Sequence, residues 1–310
     1  MSPRSRRKVK LRKLLVSYLA YYFGKITLLF AEELPIWLTK ALMGKIFRLA
    51  LLFLRRERKL ALTHIEMALG GETTERTRKQ IVSAMFENMG KNLGEFIALP
   101  RLRKSQIISM VDGSDYLPKV REALAKGRGL IIATGHLGNW ELFAAYIASL
   151  FKLSVVARKL HFEKFDKEVV SRRRRLRMAV IYQSDGVRPI IRALKDNHII
   201  GILLDQDIKD ASGVFVDFFG RKALTVTAPL SIAQSTGTPV LPAAAVRLPD
   251  GRHKVIVSDF LQIDRTGDKL QDKAAAAQKW STTFERFIRE YPEQWVWFHR
   301  RWKTRPKNEH

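Results

Sequence analysis

The chain has 310 residues, and its 56 lysines and arginines outnumber its 30 aspartates and glutamates, which gives a formal net charge of +26. It contains no cysteine, so disulfides, thiol catalysis and cysteine-ligated metals are excluded. An apolar content of 46% argues against a disordered chain. The cationic excess indicates an anionic partner, which is nucleic acid, an anionic membrane, or an acidic or phosphorylated molecule. No nucleic-acid-binding motif occurs in the sequence, so we expect no nucleic acid partner.

Residues 1–57 form the first predicted segment, a basic N-terminus followed by membrane-associated helices. Basic residues concentrate between positions 4 and 13, and apolar runs cover residues 14–30 and 34–54. Lys40, Lys45 and Arg48 interrupt the second run. This pattern favours helices in the plane of an anionic membrane, or a shallow hairpin, over a single crossing. A pair of buried core helices is the alternative.

Residues 58–310 form the second predicted domain, which has three parts. Residues 58–126 are predicted as a helical lead-in, residues 127–290 as an α/β core, and residues 291–310 as a basic aromatic tail. Apolar runs predict strands over residues 130–134, 153–157, 180–182, 199–204, 240–246 and 253–257. Helices are predicted over residues 140–151, 162–178, 187–195, 228–236 and 273–290. The fold class is therefore α/β, with a largely parallel central sheet flanked by helices.

The motif His136-Leu-Gly-Asn-Trp-Glu141 follows the first predicted strand of the core. It puts His136 at the carboxyl end of a strand, where open α/β sheets bind ligands. Asn139 is a plausible N-cap for a helix that begins at about Trp140, and Glu141 lies in its first turn. Across this turn, imidazole and carboxylate can come together, so that Glu141 fixes the tautomer of His136 and supports the imidazolium. We assign His136 and Glu141 as catalytic and place Asn139 and Trp140 in the substrate site.

Five further residues are candidates for substrate binding. Arg158 follows a strand and is placed to meet a phosphate or an oxyanion, and Asp207 follows another strand. Arg174 belongs to a helical run of arginines, which is usually a solvated face but has one side toward the same sheet edge. Phe218 lines an apolar slot for a hydrocarbon chain or packs against the sheet. Arg300 lies in the aromatic and basic ending, which suits a membrane interface or a phosphorylated head group.

The motif from His136 to Glu141 resembles the pattern of histidine, four residues and an acid in glycerolipid acyltransferases. Three further segments resemble a narrower family, the bacterial late acyltransferases of lipid A biosynthesis. They are Asp205-Gln-Asp207, Val216-Asp-Phe-Phe-Gly220 and the ending over residues 292–303. The resemblance extends from about residue 34 to residue 306.

This resemblance implies a bacterial inner-membrane enzyme whose active site lies on the cytoplasmic face. The implied donor is an acyl thioester, usually on acyl carrier protein, and the implied acceptor is a hydroxyl of a phosphorylated glycolipid, a lipid A precursor. His136 would act as general base for a direct transfer without an acyl-enzyme. Backbone N–H groups near Trp140, or Arg158, would hold the oxyanion. We expect no cofactor and no metal.

Two other interpretations stay open at this point. One is a lysophospholipid or glycolipid acyltransferase that uses acyl-coenzyme A or acyl carrier protein. The other is a membrane-bound protein without catalytic activity that binds anionic lipids through its charge of +26.

Overall fold

The computed structural model describes residues 18, 22, 24, 25, 32–208 and 213–306. Most of the apolar run over residues 14–30 lies outside these residues. Within the described part of the chain, no helix has the length and apolar character required to cross a membrane. The membrane association predicted for residues 1–57 therefore stays a prediction.

The helices occupy the first third of the described chain and then alternate with strands. They are α1 (Ile36–Ala50), α2 (Arg55–Leu69), α3 (Glu75–Ala98), α4 (Lys104–Ser109), α5 (Tyr116–Ala125), α6 (Trp140–Leu150), α7 (Glu163–Arg175), α8 (Arg188–Lys195), α9 (Ala228–Thr236) and α10 (Lys269–Glu290). The strands are β1 (Val111–Asp112), β2 (Leu130–Thr134), β3 (Leu153–Ala157), β4 (Met178–Tyr182), β5 (Ile199–Leu203), β6 (Gly213–Phe218), β7 (Arg221–Val226), β8 (Val240–Arg247) and β9 (His253–Val257).

A seven-stranded sheet in the order β1-β9-β8-β2-β5-β3-β4 forms the centre of the molecule. All its strand pairs are parallel except β8 with β9. Every residue of β2 and of β8 is buried, which explains the continuous apolar runs in the sequence, since helices cover both faces of a parallel sheet. The predicted α/β class with its largely parallel sheet is confirmed. The predicted strand β9 does not lie at the edge of the sheet, because the two-residue β1 pairs with its outer side.

Three strands, β1, β6 and β7, are not predicted from the sequence, in which residues 213–220 have the composition of a loop rich in apolar groups. β6 and β7 instead form a separate antiparallel hairpin. Its turn contains Phe219 and Gly220, both with positive φ, at 52° and 68°. A phenylalanine is an unusual residue for the left-handed region, so the usual sequence signal for a two-residue hairpin is absent.

Helix α1 packs along α3, the longest helix before the sheet. The contact is close because α3 presents Gly90 and Gly94 to it: a Cβ at Gly90 would collide with the carbonyl oxygen of Met43, and one at Gly94 would lie 2.8 Å from that of Thr39. Thr39, Met43 and Gly44 are the buried residues of α1. The opposite face of α1 is exposed and apolar, including Trp37 at 65% and Leu49 at 61%.

Candidate active site

The candidate site lies where two neighbouring parallel strands end. β2 pairs with β5, and Thr134 lies opposite Leu203. Two residues after each of these positions the chain reaches His136 and Asp205. The two side chains therefore meet at the carboxyl edge of the sheet, as expected for a ligand site in an open α/β fold.

Asp205 is fully buried and accepts three hydrogen bonds. Its Oδ1 lies 2.9 Å from Nδ1 of His136, and its Oδ2 accepts from the backbone N–H of His136 at 2.7 Å and from Nε1 of Trp295 at 2.9 Å. Burial opposes ionisation, but the charge of His136 and these hydrogen bonds outweigh it and hold the pKa of Asp205 well below its usual range. Asp205 is therefore an ionised, buried partner of the histidine.

The Asp205 carboxylate also determines the tautomer of His136. An ionised carboxylate can only accept hydrogen bonds, so Nδ1 is the nitrogen that carries the proton in the neutral imidazole. Nε2 then keeps its lone pair and can take a proton from a substrate. This is the arrangement of a histidine general base with an orienting carboxylate.

The carboxylate that orients His136 is thus not the one expected from the sequence. Glu141 lies in the first turn of α6 and pairs with Arg173 of α7, with its Oε1 2.6 Å from Nη2 and its Oε2 3.2 Å from Nε. Nδ1 of His136 instead donates to Asp205, 69 positions further along the chain. The position of Glu141 on α6 directs its carboxylate toward α7, so that it holds an arginine in the site.

Asn139 is an N-cap and does not line the cavity beside His136. Its Oδ1 accepts from the backbone N–H of Leu142 at 3.0 Å, and its Nδ2 donates to Glu95 at 2.6 Å. The expectation that it binds substrate is corrected, because its side chain is buried and both its polar atoms are occupied. Gly138 has a φ of 64°, and a Cβ there would collide with the carbonyl oxygen of Ala245. A glycine is therefore required at this turn.

Helix α3 supports the same turn from outside through Asn92 and Glu95. Nδ2 of Asn92 donates to the carbonyl oxygen of Gly138 at 2.7 Å. Glu95 is fully buried and accepts from Arg247 at 2.6 and 2.8 Å. Burial opposes its ionisation, but Arg247, His253 and the capping asparagine outweigh it and lower the pKa of Glu95. This network is not predicted from the sequence, because its members are far apart in the chain.

A cavity of about 190 Å³ opens beside His136. Trp140 lies against the imidazole, with 4.9 Å between the ring centroids. Arg158 and Arg173 line the cavity, as do apolar side chains of β3 and α7. The predicted placement of Trp140 and Arg158 beside His136 agrees with this geometry. Of the arginine run, it is Arg173 that reaches the cavity.

The structure places four other predicted binding residues outside the cavity. Arg174 is exposed, since it lies one position beyond the residue that faces the site. Asp207 accepts from the backbone N–H and Oγ1 of Thr304 at 2.6 and 2.9 Å, and so anchors the tail. Phe218 is fully buried among aromatic rings of the tail, which corrects the expectation of an apolar slot at this position. Arg300 is exposed, while the neighbouring Arg301 is buried.

Two residues near His136 were not assigned a role from the sequence. Nε2 of Gln206 lies 3.0 Å from Nε2 of His136 and 2.9 Å from Nε2 of His299. Burial, helped by the charge of His136, lowers the pKa of His299 to about 4, so this imidazole is neutral at pH 7. The sequence signal for Gln206 was its position in the segment Asp205-Gln-Asp207 at a strand end.

The fold and this site together define a class of protein. A histidine base with a buried carboxylate at the edge of a parallel sheet, beside a cavity with arginine and apolar walls, is suited to activating a hydroxyl against an acyl group. Comparison with known proteins identifies the class as acyltransferase. Residues 6–304 match the family model described as bacterial lipid A biosynthesis acyltransferase. The chain belongs to this family.

Individual relatives agree with the family at modest identity. The chain is 27% identical over 267 residues to the lipid A biosynthesis lauroyltransferase of Escherichia coli (strain K12), which covers 84% of this chain and 83% of the relative. It is 25% identical over 298 residues to the lipid A biosynthesis palmitoleoyltransferase of the same organism, which covers 94% of each. A phosphatidylinositol mannoside acyltransferase of Mycobacterium tuberculosis (strain CDC 1551 / Oshkosh) is 28% identical over 171 residues, 52% of this chain and 53% of the relative.

Proposed function

We propose that this enzyme transfers a fatty acyl group from a thioester on acyl carrier protein directly to a hydroxyl of a phosphorylated lipid A precursor. The observation that carries the proposal is the pair of His136 and Asp205 at the mouth of a cavity. His136 takes the proton of the acceptor hydroxyl at Nε2, the oxygen attacks the thioester carbonyl, and the imidazolium returns the proton to the leaving thiolate. The proposed site is at the cytoplasmic face of the bacterial inner membrane.

Direct transfer is supported by the residues around the base. The walls of the cavity contain no serine, threonine or cysteine among the described residues, and the chain has no cysteine at all. A nucleophilic side chain within reach of His136 would be required for an acyl-enzyme. We therefore propose that the acceptor hydroxyl itself is the nucleophile, with Glu141 acting on the substrate through Arg173.

A fatty acyl donor is supported by a second cavity of about 210 Å³, which is lined in part by side chains of β3 and β5 and adjoins the first cavity. Its walls are mostly aliphatic, and it shares Val156, Gln183 and Ile208 with the cavity beside His136. Hydrocarbon chains are bound in such apolar cavities by burial of their methylene groups. We propose that the acyl chain of the donor extends from the reacting carbonyl into this space.

The cavity arginines are proposed to bind a phosphate of the acceptor. Arg158→Lys keeps the charge but loses the planar fork that binds phosphate through two N–H groups. We expect the KM for a phosphorylated acceptor to rise about tenfold, because the substitution removes one charge-assisted hydrogen bond to the phosphate. Steady-state kinetics with phosphorylated and dephosphorylated acceptors measures this effect.

The matched control for this substitution is Arg175→Lys on the exposed side of α7. It should be nearly silent, because an exposed charge acts on association through long-range attraction that lysine preserves. Equal KM values for wild type and Arg158→Lys with both acceptors would contradict a phosphate-binding role for Arg158.

Membrane attachment is proposed to occur through the exposed apolar face of α1 and the turn after it. Leu49 is 61% exposed and Phe53 is 84% exposed, and basic residues at positions 45, 48, 55 and 56 are exposed beside them. The double substitution Leu49→Ser with Phe53→Ser should weaken binding to anionic vesicles by tenfold or more, because burying each side chain is worth about 1.5–3 kcal/mol. Vesicle co-sedimentation measures the affinity.

Leu270→Ser is the matched control for the membrane prediction, because Leu270 is 69% exposed but lies at the start of α10. Its vesicle binding should equal that of wild type. Raising the salt concentration should weaken attachment only in part, since salt screens charges and leaves apolar insertion intact. Full vesicle binding by the double variant would locate the anchor elsewhere in the chain.

A second candidate function is acyl transfer to another glycolipid or a lysophospholipid, with acyl-coenzyme A or acyl carrier protein as donor. It is favoured by the similarity to a relative named as a phosphatidylinositol mannoside acyltransferase. Purified protein should be incubated with each radiolabelled donor and with a lipid A precursor, a mannosylated phosphatidylinositol or a lysophospholipid. Product formation only with the lipid A precursor supports the first function, and product only with another acceptor overturns it.

A further inference from the structure

The amide of Gln206 lies between two imidazoles in the candidate site. Its nitrogen is 3.0 Å from Nε2 and 3.2 Å from Nδ1 of His136, and 2.9 Å from Nε2 of His299. Because it is nearly equidistant from the two nitrogens of His136, it lies over the face of the imidazole ring and off the axis of the Nε2 lone pair, which is in the ring plane. The direction along which a hydroxyl approaches Nε2 is therefore not filled by Gln206.

His299 determines which end of the amide faces the reacting centre. At pH 7 its imidazole is neutral, so its Nε2 can accept a hydrogen bond from the amide. The amide NH₂ of Gln206 has two N–H donors. One is engaged by His299, and the other points toward the space beside His136. His299 follows the buried Trp295 and Trp297 of the tail, which restricts its movement.

Four backbone N–H groups around His136 are engaged in hydrogen bonds within the protein. The N–H of His136 donates to Asp205, that of Gly138 to the carbonyl oxygen of Gln294, and that of Asn139 to the carbonyl oxygen of Ala245. The N–H of Leu142 donates to the side chain of the N-cap. These four groups are therefore not available to an oxyanion, and the role expected at the start of α6 falls to the N–H groups of Trp140 and Glu141 or to a side-chain donor.

We infer that Gln206 is a catalytic residue that donates its free amide N–H to the oxygen of the thioester carbonyl, and that His299 is the positioning residue that holds the amide there. This inference rests on the proposed acyl transfer. The acceptor oxygen forms its bond to the carbonyl carbon, its proton passes to Nε2 of His136, and the π electrons move to the carbonyl oxygen. When the intermediate collapses, the carbon–sulfur bond breaks and the thiolate takes the proton from His136.

The geometry supports this assignment because donor and base act on adjacent atoms. A hydroxyl bound to Nε2 of His136 lies about 2.8 Å from it, and the amide nitrogen lies 3.0 Å from the same atom. The carbonyl oxygen of a thioester attacked by that hydroxyl is within reach of the amide. A donor that is already oriented stabilises the charge that develops on this oxygen without reorganisation during the reaction.

Kinetics of Gln206→Ala tests the inference in the full-length protein. We expect kcat to fall by about 10²- to 10³-fold with little change in KM, as for the loss of one oxyanion donor. Gln206→Glu should be at least as slow, because a carboxylate cannot donate and repels an oxyanion. Gln80→Ala, an exposed glutamine of α3, is the control and should match wild type. A kcat of Gln206→Ala within threefold of wild type overturns the inference.

His299 is tested by a rescue that a purely structural role would not produce. His299→Leu removes the acceptor and should lower kcat, whereas His299→Gln supplies an amide oxygen in its place and should restore part of it. The melting temperature of both variants is measured in parallel. Equal kcat for the two variants contradicts the positioning role. Acyl transfer by the wild-type protein in the same assay tests the proposed function separately. The ratio of kcat between each variant and wild type tests the roles inferred for Gln206 and His299.

Discussion

Replacing His136 by alanine is expected to reduce acyl transfer by at least about 10²- to 10⁴-fold, the usual contribution of a general base. The fold should survive, because the buried carboxylate of Asp205 keeps two of its three hydrogen bonds, from the backbone N–H of residue 136 and from Trp295. The measurement is kcat of the purified variant, together with its melting temperature. The loss should appear in kcat more than in KM, because the proton is transferred in the transition state.

Two further variants make this result interpretable. His136→Gln keeps a side chain that can donate to Asp205 but cannot act as a base, so it should be inactive and more stable than the alanine variant. His161→Ala changes an exposed histidine outside the site and should be fully active. Turnover of His136→Ala near that of His161→Ala would contradict the assignment of the base.

The position of His136 at the end of a buried strand could be predicted from the sequence, whereas its carboxylate partner could not. His136 follows a short apolar run whose β-branched residues predict a buried strand, and a glycine-containing turn leads directly into a helix. The motif predicts Glu141, the nearest following acidic residue in the sequence, as the partner of His136. Asp205 reaches the imidazole because β5 lies beside β2 in the sheet. Strand order depends on how the helices pack on both faces, and local patterns do not encode it.

The same distinction holds for the rest of the fold. Apart from the two-residue β1, the strands of the central sheet are predicted to within two residues, because most are continuous apolar runs. The hairpin of β6 and β7 was missed because its turn uses Phe219 in the left-handed region. The aromatic rings at its end pack on the tail, where Trp295 and Trp302 contact Phe218. These residues belong to motifs that the sequence shows, and in the structure their rings pack together beside Asp205, to which Nε1 of Trp295 donates.

Asp205→Asn is expected to be as damaging as the loss of the base itself, for a geometric reason. The Oδ2 position faces two donors, the backbone N–H of His136 and Nε1 of Trp295, so the amide oxygen must occupy it. The NH₂ group then takes the Oδ1 position, 2.9 Å from Nδ1 of His136, and donates to it. Nδ1 becomes the acceptor and the proton moves to Nε2. The imidazole is locked in the tautomer that cannot accept the hydroxyl proton.

We therefore expect kcat of Asp205→Asn to fall by about 10⁴-fold, as for the corresponding change in a catalytic triad. Glu141→Gln is the comparison, because it removes a carboxylate of the original motif that bonds Arg173 and not the imidazole. It should act mainly on KM by loosening that arginine, with a smaller effect on kcat. Both variants are assayed at saturating and limiting acceptor. A larger loss of kcat in Glu141→Gln than in Asp205→Asn would return the orienting role to Glu141, because a carboxylate that supports the imidazolium acts in the proton-transfer step.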